Sequence, residues 1–148
     1  MRIDGLNSLN DLNSSKRSNG SKRYDAGGLG QKQILGEEGE RIAEGYLAKK
    51  GYRIVERNYR CPVGEVDLIF LDRRVIVFVE VKTRTDDRFG APVEAVGSRK
   101  QKKMMKAALF FLSRHRLHSR EARFDVVGIS LKGREPMVEH VQNAFDLS

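Results

Sequence analysis

Gly64-Glu65-Val66-Asp67-Leu68-Ile69-Phe70-Leu71-Asp72-Arg73-Arg74-Val75-Ile76-Val77-Phe78-Val79-Glu80-Val81-Lys82 is the stretch whose reading decides the fold. Two runs rich in β-branched and aromatic residues, Glu65 to Leu71 and Val75 to Lys82, flank a polar Asp72-Arg73-Arg74 turn, and this pattern predicts a β-hairpin. Alternation puts Glu65, Asp67 and Ile69 on one face of the first strand, with Val66, Leu68 and Phe70 on the other. On the second strand, Glu80 and Lys82 share a face with Ile76 and Phe78, opposite Val75, Val77, Val79 and Val81. A turn of two or four residues brings Glu65, Asp67, Glu80 and Lys82 to one face, whereas a three-residue turn splits them.

Charges inside apolar strands need a reason. A buried carboxylate costs several kcal/mol unless it is paired or holds a cation. The hard oxygens of Asp67 and Glu80 suit Mg²⁺ or Mn²⁺, with water and a substrate phosphate completing the shell. Lys82, two residues from one such ligand, is placed to orient or help deprotonate an attacking water, or to steady charge on a phosphorane-like transition state. The ordinary alternative is a set of cross-strand salt pairs, each worth a few tenths of a kcal/mol. Glu-x-Lys on its own is among the least specific of motifs. Its setting gives it weight: an acidic helix precedes the hairpin and a basic helix follows it.

Working outward, Ile42, Ala43, Tyr46 and Leu47 follow helical spacing within Glu37 to Lys50, and Gly51 closes that helix. At about 100° per residue, Glu40 falls at the edge of the apolar arc and can lean over a sheet as a third carboxylate. Glu44 and Glu37 point toward solvent, and Glu38 is intermediate. Residues 52–60 alternate and read as a strand, followed by a turn at Cys61-Pro62-Val63-Gly64. Residues 83–97 form a loop in which Phe89-Gly90-Ala91-Pro92 can shape a site mouth. Ser98 is the expected cap of a helix to about Arg116, with Met105, Ala108, Leu109, Phe111 and Leu112 on its apolar side. Its basic residues Arg99, Lys100, Lys102, Lys103 and Lys106, followed by Arg114, Arg116, Arg120 and Arg123, suit phosphates. A solvated basic face is the plainer reading. Strands at Arg123 to Ser130 and Met137 to Val141 complete the order α-β-β-β-α-β-β.

One domain, residues 34–148, is expected. Residues 1–33 are rich in Asn, Ser, Gly, Lys and Arg and read as a mostly disordered basic tail, although Ile3, Leu6, Leu9 and Leu12 would allow a short amphipathic turn. The net charge of +8 favours polyanionic partners. The single cysteine, Cys61, excludes a disulfide framework and a multi-cysteine zinc site. The N-terminus lacks the apolar run of a secretory signal, and Val75 to Val79 is too short to span a bilayer. A cytoplasmic protein without a membrane partner is expected. His115, His118 and His140 are too scattered to form a histidine metal site, no Ser or Cys nucleophile has an evident histidine partner, and there is no phosphate-binding glycine loop.

These residues resemble the bacterial YraN family. That family belongs to the restriction-endonuclease-like superfamily and is related to archaeal Holliday-junction resolvases. The likeness runs from Leu35 to the C-terminus. It includes Gly36-Glu37-Glu38-Gly39-Glu40, Ala43, Tyr46-Leu47, Gly51-Tyr52, Asn58-Tyr59-Arg60 and Gly64-Glu65-Val66-Asp67-Leu68-Ile69. It continues through Phe78-Val79-Glu80-Val81-Lys82-Thr83-Arg84, Phe89-Gly90 and Arg123-Phe124-Asp125-Val126-Val127. The resemblance implies an α/β fold, a central mixed sheet flanked by helices. It implies Asp67 and Glu80 as metal ligands, Lys82 as the catalytic lysine, and Glu40 as the helix acid of resolvase-like relatives, a third ligand. Val66 stands where the superfamily's nominal motif has proline, a position at which proline is often missing.

The expected activity is Mg²⁺- or Mn²⁺-dependent endonucleolytic hydrolysis of nucleic-acid phosphodiesters, in the form of structure-specific DNA cleavage in repair or recombination. Arg84, Arg99, Lys100, Lys102, Lys103 and Lys106 are the expected nucleic-acid contacts. The alternative is a non-catalytic nucleic-acid-binding accessory protein in DNA repair, recombination or uptake. A homodimer would suit the two symmetric strands of a duplex or junction, although no stripe of residues marks a dimer surface.

Overall fold

The computed structural model describes residues 28–86 and 92–146. The elements are helix α1 (Gly28–Lys49), strands β1 (Arg53–Cys61), β2 (Gly64–Asp72) and β3 (Val75–Arg84), a single 3-10 turn (Pro92–Ala95), helix α2 (Ser98–Arg114), and strands β4 (Ala122–Ser130) and β5 (Met137–Phe145). This is the expected α-β-β-β-α-β-β order. The five strands form one mixed sheet in the order β1-β2-β3-β4-β5. All neighbours are antiparallel except β3 and β4. Parallel neighbours need a long crossover, and α2 is that crossover.

The two helices bury opposite faces of the sheet. Ala43 and Leu47 of α1 pack with Leu68, Phe70, Val77, Val79, Val81, Val127 and Ile129. On the other side, Met104, Ala107, Ala108, Phe111 and Leu112 of α2 pack with Val66, Ile69, Ile76, Phe78, Phe124 and Val126. Those five α2 positions follow the i, i+3, i+4, i+7, i+8 stripe of an amphipathic helix. Leu109 lies off that stripe and is 54% exposed, contrary to its expected place in the core. Met104 takes the deep position, and Met105 is only partly buried.

Other boundaries shift. Helix α1 starts at Gly28, ahead of the expected helix start at Glu37 and of the expected domain start at residue 34, so residues 28–33 are helical. Residues 1–27, with Ile3, Leu6, Leu9 and Leu12, lie outside the described residues, as do residues 87–91 with most of the Phe89–Pro92 segment. Gly97, not Ser98, is the N-cap of α2, and no side chain caps that end. Strand β5 runs on to Phe145 because its polar residues find partners inside the protein, as described below. Among the described residues, no helix is long and apolar enough to cross a membrane.

The hairpin turn is Arg73-Arg74 alone, between the paired Asp72 and Val75. Arg73 has φ 57, the positive angle that two-residue hairpin turns require. The turn is therefore of even length, the condition for gathering the polar pairs on one face. Simple alternation nevertheless fails within β2. Val66 joins the cluster under α2, whereas Leu68 and Phe70 join the cluster under α1. The strand changes face at Asp67. Its β1 neighbour flips at the same level, where Asn58 has φ 49 between the pairs Arg57↔Leu68 and Tyr59↔Val66.

Close seating of α1 over β3 depends on Gly39. A Cβ built there would lie 1.8 Å from Thr83 Oγ1 and 3.0 Å from Thr83 Cβ. Alanine normally stabilises a helix interior relative to glycine, but here it must displace the Thr83 side chain or lift the helix from the sheet. Gly39→Ala is expected to destabilise the fold by about 1–3 kcal/mol, measured by urea denaturation. Adding Thr83→Ala should recover part of that loss. A neutral or stabilising Gly39→Ala would contradict the contact.

Candidate functional site

Between β2 and β3 the register runs from Asp72↔Val75 to Leu68↔Val79 and stops. Beyond it, the Val81 amide donates not to the neighbouring backbone but to Asp67 Oδ2, at 2.9 Å. The Asp67 carboxylate is thereby fixed at the mouth of the parted strands. Glu80, one residue before Val81, is 3% exposed. Its two oxygens have different surroundings. Oε1 lies 3.6 Å from Lys82 Nζ and 3.5 Å from Lys100 Nζ. Oε2 is buried and has no hydrogen-bond partner among the described residues. Next to Glu80 stands the Asp67 carboxyl, a group that can share a proton or a cation with it but cannot donate while ionised.

Burial and then the Asp67 charge push the Glu80 carboxyl up to about 7, against the pull of Lys100 and Lys82. Glu40 is also raised to about 7, by burial first and by Asp67 second, while a hydrogen bond from the Asn58 side chain works the other way. So α1 brings Glu40 toward Asp67, as its place at the edge of the apolar arc suggested. Glu44 instead forms a two-pronged ion pair with Arg57, Arg57 Nε to Glu44 Oε2 at 2.9 Å and Nη2 to Oε1. Glu65 is an exposed acid, 3.6 Å from Lys100 Nζ and 3.7 Å from Arg60 Nε.

Among the described residues, no group of three or more His, Cys, Asp or Glu side chains is drawn together as a metal cage. Mg²⁺ does not require one, since it is commonly bound through one or two carboxylates, several waters and a substrate phosphate. The donor set fits that description. Asp67 and Glu80, with its unpartnered Oε2, are the two oxygen groups, and Glu40 is near enough to feel the Asp67 charge.

The expected phosphate contacts divide. Arg99, Lys102, Lys103 and Lys106 are exposed along α2. Lys100 turns inward and bridges Glu80 and Glu65. Arg84 is half-buried at the end of β3, where its carbonyl accepts from the Leu131 amide at 2.8 Å. Helix α2 comes close to the site because Gly64 has no side chain. A Cβ there would stand 2.6 Å from the Lys103 carbonyl oxygen.

Arg123 does not belong to the basic surface. It lies in a polar network on β4, donating to Asp125 Oδ1 at 3.0 Å, Asp72 Oδ2 at 3.1 Å and the Tyr52 hydroxyl at 2.6 Å. His140 Nε2 is 2.7 Å from Asp125 Oδ2, and the Asn143 amide donates to Asp125 Oδ1 at 3.0 Å. The Lys50 ammonium, 3.2 Å from His140 Nδ1, can only donate, so Nε2 carries the proton given to Asp125. Burial alone would raise Asp125; the bonds from His140, Arg123 and the Asn143 amide overcome it and hold the carboxyl below its usual value. This network ties edge strand β5 to the sheet and was missed by sequence reasoning, as was Asn58. One signal was present: Arg123 and Asp125 alternate on one face of an otherwise apolar strand.

A mixed sheet with helices on both faces, and an acid pair with a lysine at the parting of its hairpin, defines a restriction-endonuclease-like α/β domain. The uncharacterised protein family UPF0102 matches residues 39–129, and the chain belongs to that family, which is the YraN family its sequence resembles. The UPF0102 protein of Trichlorobacter lovleyi is 51% identical over 118 residues, covering 78% of this chain and 93% of the relative. That of Geobacter metallireducens is 48% identical over 114 residues, covering 77% and 93%. That of Syntrophus aciditrophicus is 50% identical over 113 residues, covering 76% and 89%.

The raised acids carry a stability signature. Where folding raises a carboxyl, the folded state keeps protons that the unfolded chain has lost, so stability falls as pH rises from the unfolded value toward about 7. Glu80→Gln removes one such group. Its stability relative to wild type, from urea denaturation, is expected to improve between about pH 5 and about pH 8. A difference that stays constant with pH would contradict the strained pairing of Glu80 with Asp67.

Proposed function

We propose that this protein is a metal-dependent endonuclease that hydrolyses nucleic-acid phosphodiester bonds, with DNA of a particular structure as its substrate. The observation that carries the reading is the division of Glu80, which interacts with the Asp67 carboxyl: one oxygen faces two lysines, and the other is buried with no hydrogen-bond partner among the described residues. A structural salt bridge would satisfy both oxygens. A lone buried acceptor beside a second carboxylate is what a small hard cation requires.

When bound, Mg²⁺ or Mn²⁺ would supply the positive charge that polarises a phosphoryl oxygen and favours ionisation of water. Asp67 and Glu80 would hold it, and Glu40 would add to the negative charge of the site. The Lys82 side chain is 34% exposed, so its ammonium faces both Glu80 and incoming substrate. It can align the attacking water and steady the charge that develops on the phosphoryl oxygens. The exposed Arg99, Lys102, Lys103 and Lys106 bind flanking phosphates by charge.

A second reading, an accessory protein that binds nucleic acid without cutting it, draws on the lack of a ready three-ligand cage among the described residues. Labelled duplex, single-stranded, flap and four-way-junction DNA, incubated with Mg²⁺, Mn²⁺ or EDTA, separates the two. Cleavage is expected only with metal, and Asp67→Ala and Lys82→Ala should each lower it at least about a hundredfold. Salt-sensitive binding without any cutting, indifferent to both substitutions, would overturn the nuclease and leave the accessory protein.

A further inference from the structure

Lys100 is the residue at this site whose placement the nuclease reading leaves unexplained. It stands in the first turn of α2, an end with no acidic residue and no side-chain cap. A helix N-terminus carries partial positive charge, so a lysine there is disfavoured, and so is the neighbouring Arg99. The helix end itself is not stabilised by this arrangement. Lys100 nevertheless reaches into the site, 3.5 Å from Glu80 Oε1 and 3.6 Å from Glu65 Oε1, with its side chain 30% exposed.

Two ammonium groups thus crowd one carboxylate oxygen, Lys82 from β3 and Lys100 from α2. They repel each other, and a divalent cation placed between Asp67 and Glu80 would repel both. The two differ in what they can do about it. Lys82 springs from the same strand as Glu80, two residues on, and stays by the site. Lys100 comes from another element, and its second acid, Glu65, is 55% exposed. Around it on α2 stand the exposed Arg99, Lys102 and Lys103.

We propose that Lys100 acts as a built-in counter-cation for Glu80: a divalent metal at Asp67 and Glu80 takes over the charge balance and repels the Lys100 ammonium from Oε1, and the released ammonium joins the basic face of α2 to grip a substrate phosphate. The proposal rests on the metal reading of Asp67 and Glu80 and adds the coupling. Metal and nucleic acid then each strengthen binding of the other, by the same factor, because binding linkage is reciprocal. Before metal arrives, Lys100 partly offsets the Glu80 charge, which limits the cost of holding an acid in the sheet.

Calorimetric titration of the full-length protein with Mn²⁺ in the absence of DNA tests the exchange directly. Lys100→Met is expected to bind Mn²⁺ several-fold more tightly than wild type, since a competing charge is gone, whereas Lys100→Arg keeps the wild-type affinity. DNA affinity is then measured with and without Ca²⁺, as a probe ion for binding rather than cutting. Wild type should gain at least about fivefold from Ca²⁺, and Lys100→Met should lose most of that gain. Lys100→Gln provides a second neutral variant, and both neutral variants are checked for the wild-type circular dichroism spectrum. Equal or weaker Mn²⁺ binding in folded neutral variants, with wild type still binding, would overturn the role of Lys100 and leave the metal reading standing. Absence of Mn²⁺ binding in wild type would overturn both.

Discussion

The hydrogen bond from the Val81 amide to Asp67 Oδ2 ends the β2–β3 ladder and begins the site. Had β2 continued in register, a backbone carbonyl would have been the natural acceptor for that amide. Using the carboxylate instead lets the strands part, with no buried amide left unpaired. It also fixes Asp67 beside Glu80 and turns Val66 toward α2 while Leu68 stays under α1. The positive φ of Asn58 on the neighbouring strand absorbs the same bend, and the Asn58 side chain reaches Glu40. One backbone departure thereby links both helices to a single group of acids.

That group is costly to hold. Burial and mutual repulsion raise Glu40 and Glu80 to about 7, and the two lysines only partly relieve Glu80. Two apolar clusters on either face of the sheet tolerate this cost, because the central hairpin strands are almost wholly buried between them. Electrostatic strain of this kind, concentrated where a hard cation would relieve it, supports the proposed metal site. The contrast lies within the same molecule. Asp125 is more deeply buried, yet Arg123, His140 and the Asn143 amide satisfy it, and its carboxyl is lowered rather than raised.

Much of this was legible in the sequence. Period-2 alternation and the polar Asp72-Arg73-Arg74 segment pointed to the hairpin and helical spacing to both helices, whereas the grouping of Asp67, Glu80 and Lys82 hung on an even turn length that the sequence left open. Glu40 followed from its angle on α1. What escaped has a common cause: it depends on pairs of residues far apart in the chain. Strict alternation misplaced Val66 because the bend at Asp67 arises from a tertiary bond. Arg123 read as one more basic residue because Asp72 reaches it only after the sheet is assembled, although Asp125, two residues along the same strand, was a local signal. Leu109 was assigned to the core because hydrophobicity alone does not fix where the buried stripe of α2 is centred. Lys100 was legible as a cation but not as the partner of two acids, since that requires the crossover to bring α2 over the hairpin.

The central claim, that the parted strands form a cation site, is tested most directly by soaking crystals in Mn²⁺ and collecting anomalous diffraction. The account predicts an anomalous peak within coordination distance of Asp67 and of Glu80 Oε2, with Lys82 still near Glu80. A site that takes no Mn²⁺ at saturating concentration, or a peak elsewhere with both lysines still seated on Glu80, would contradict it.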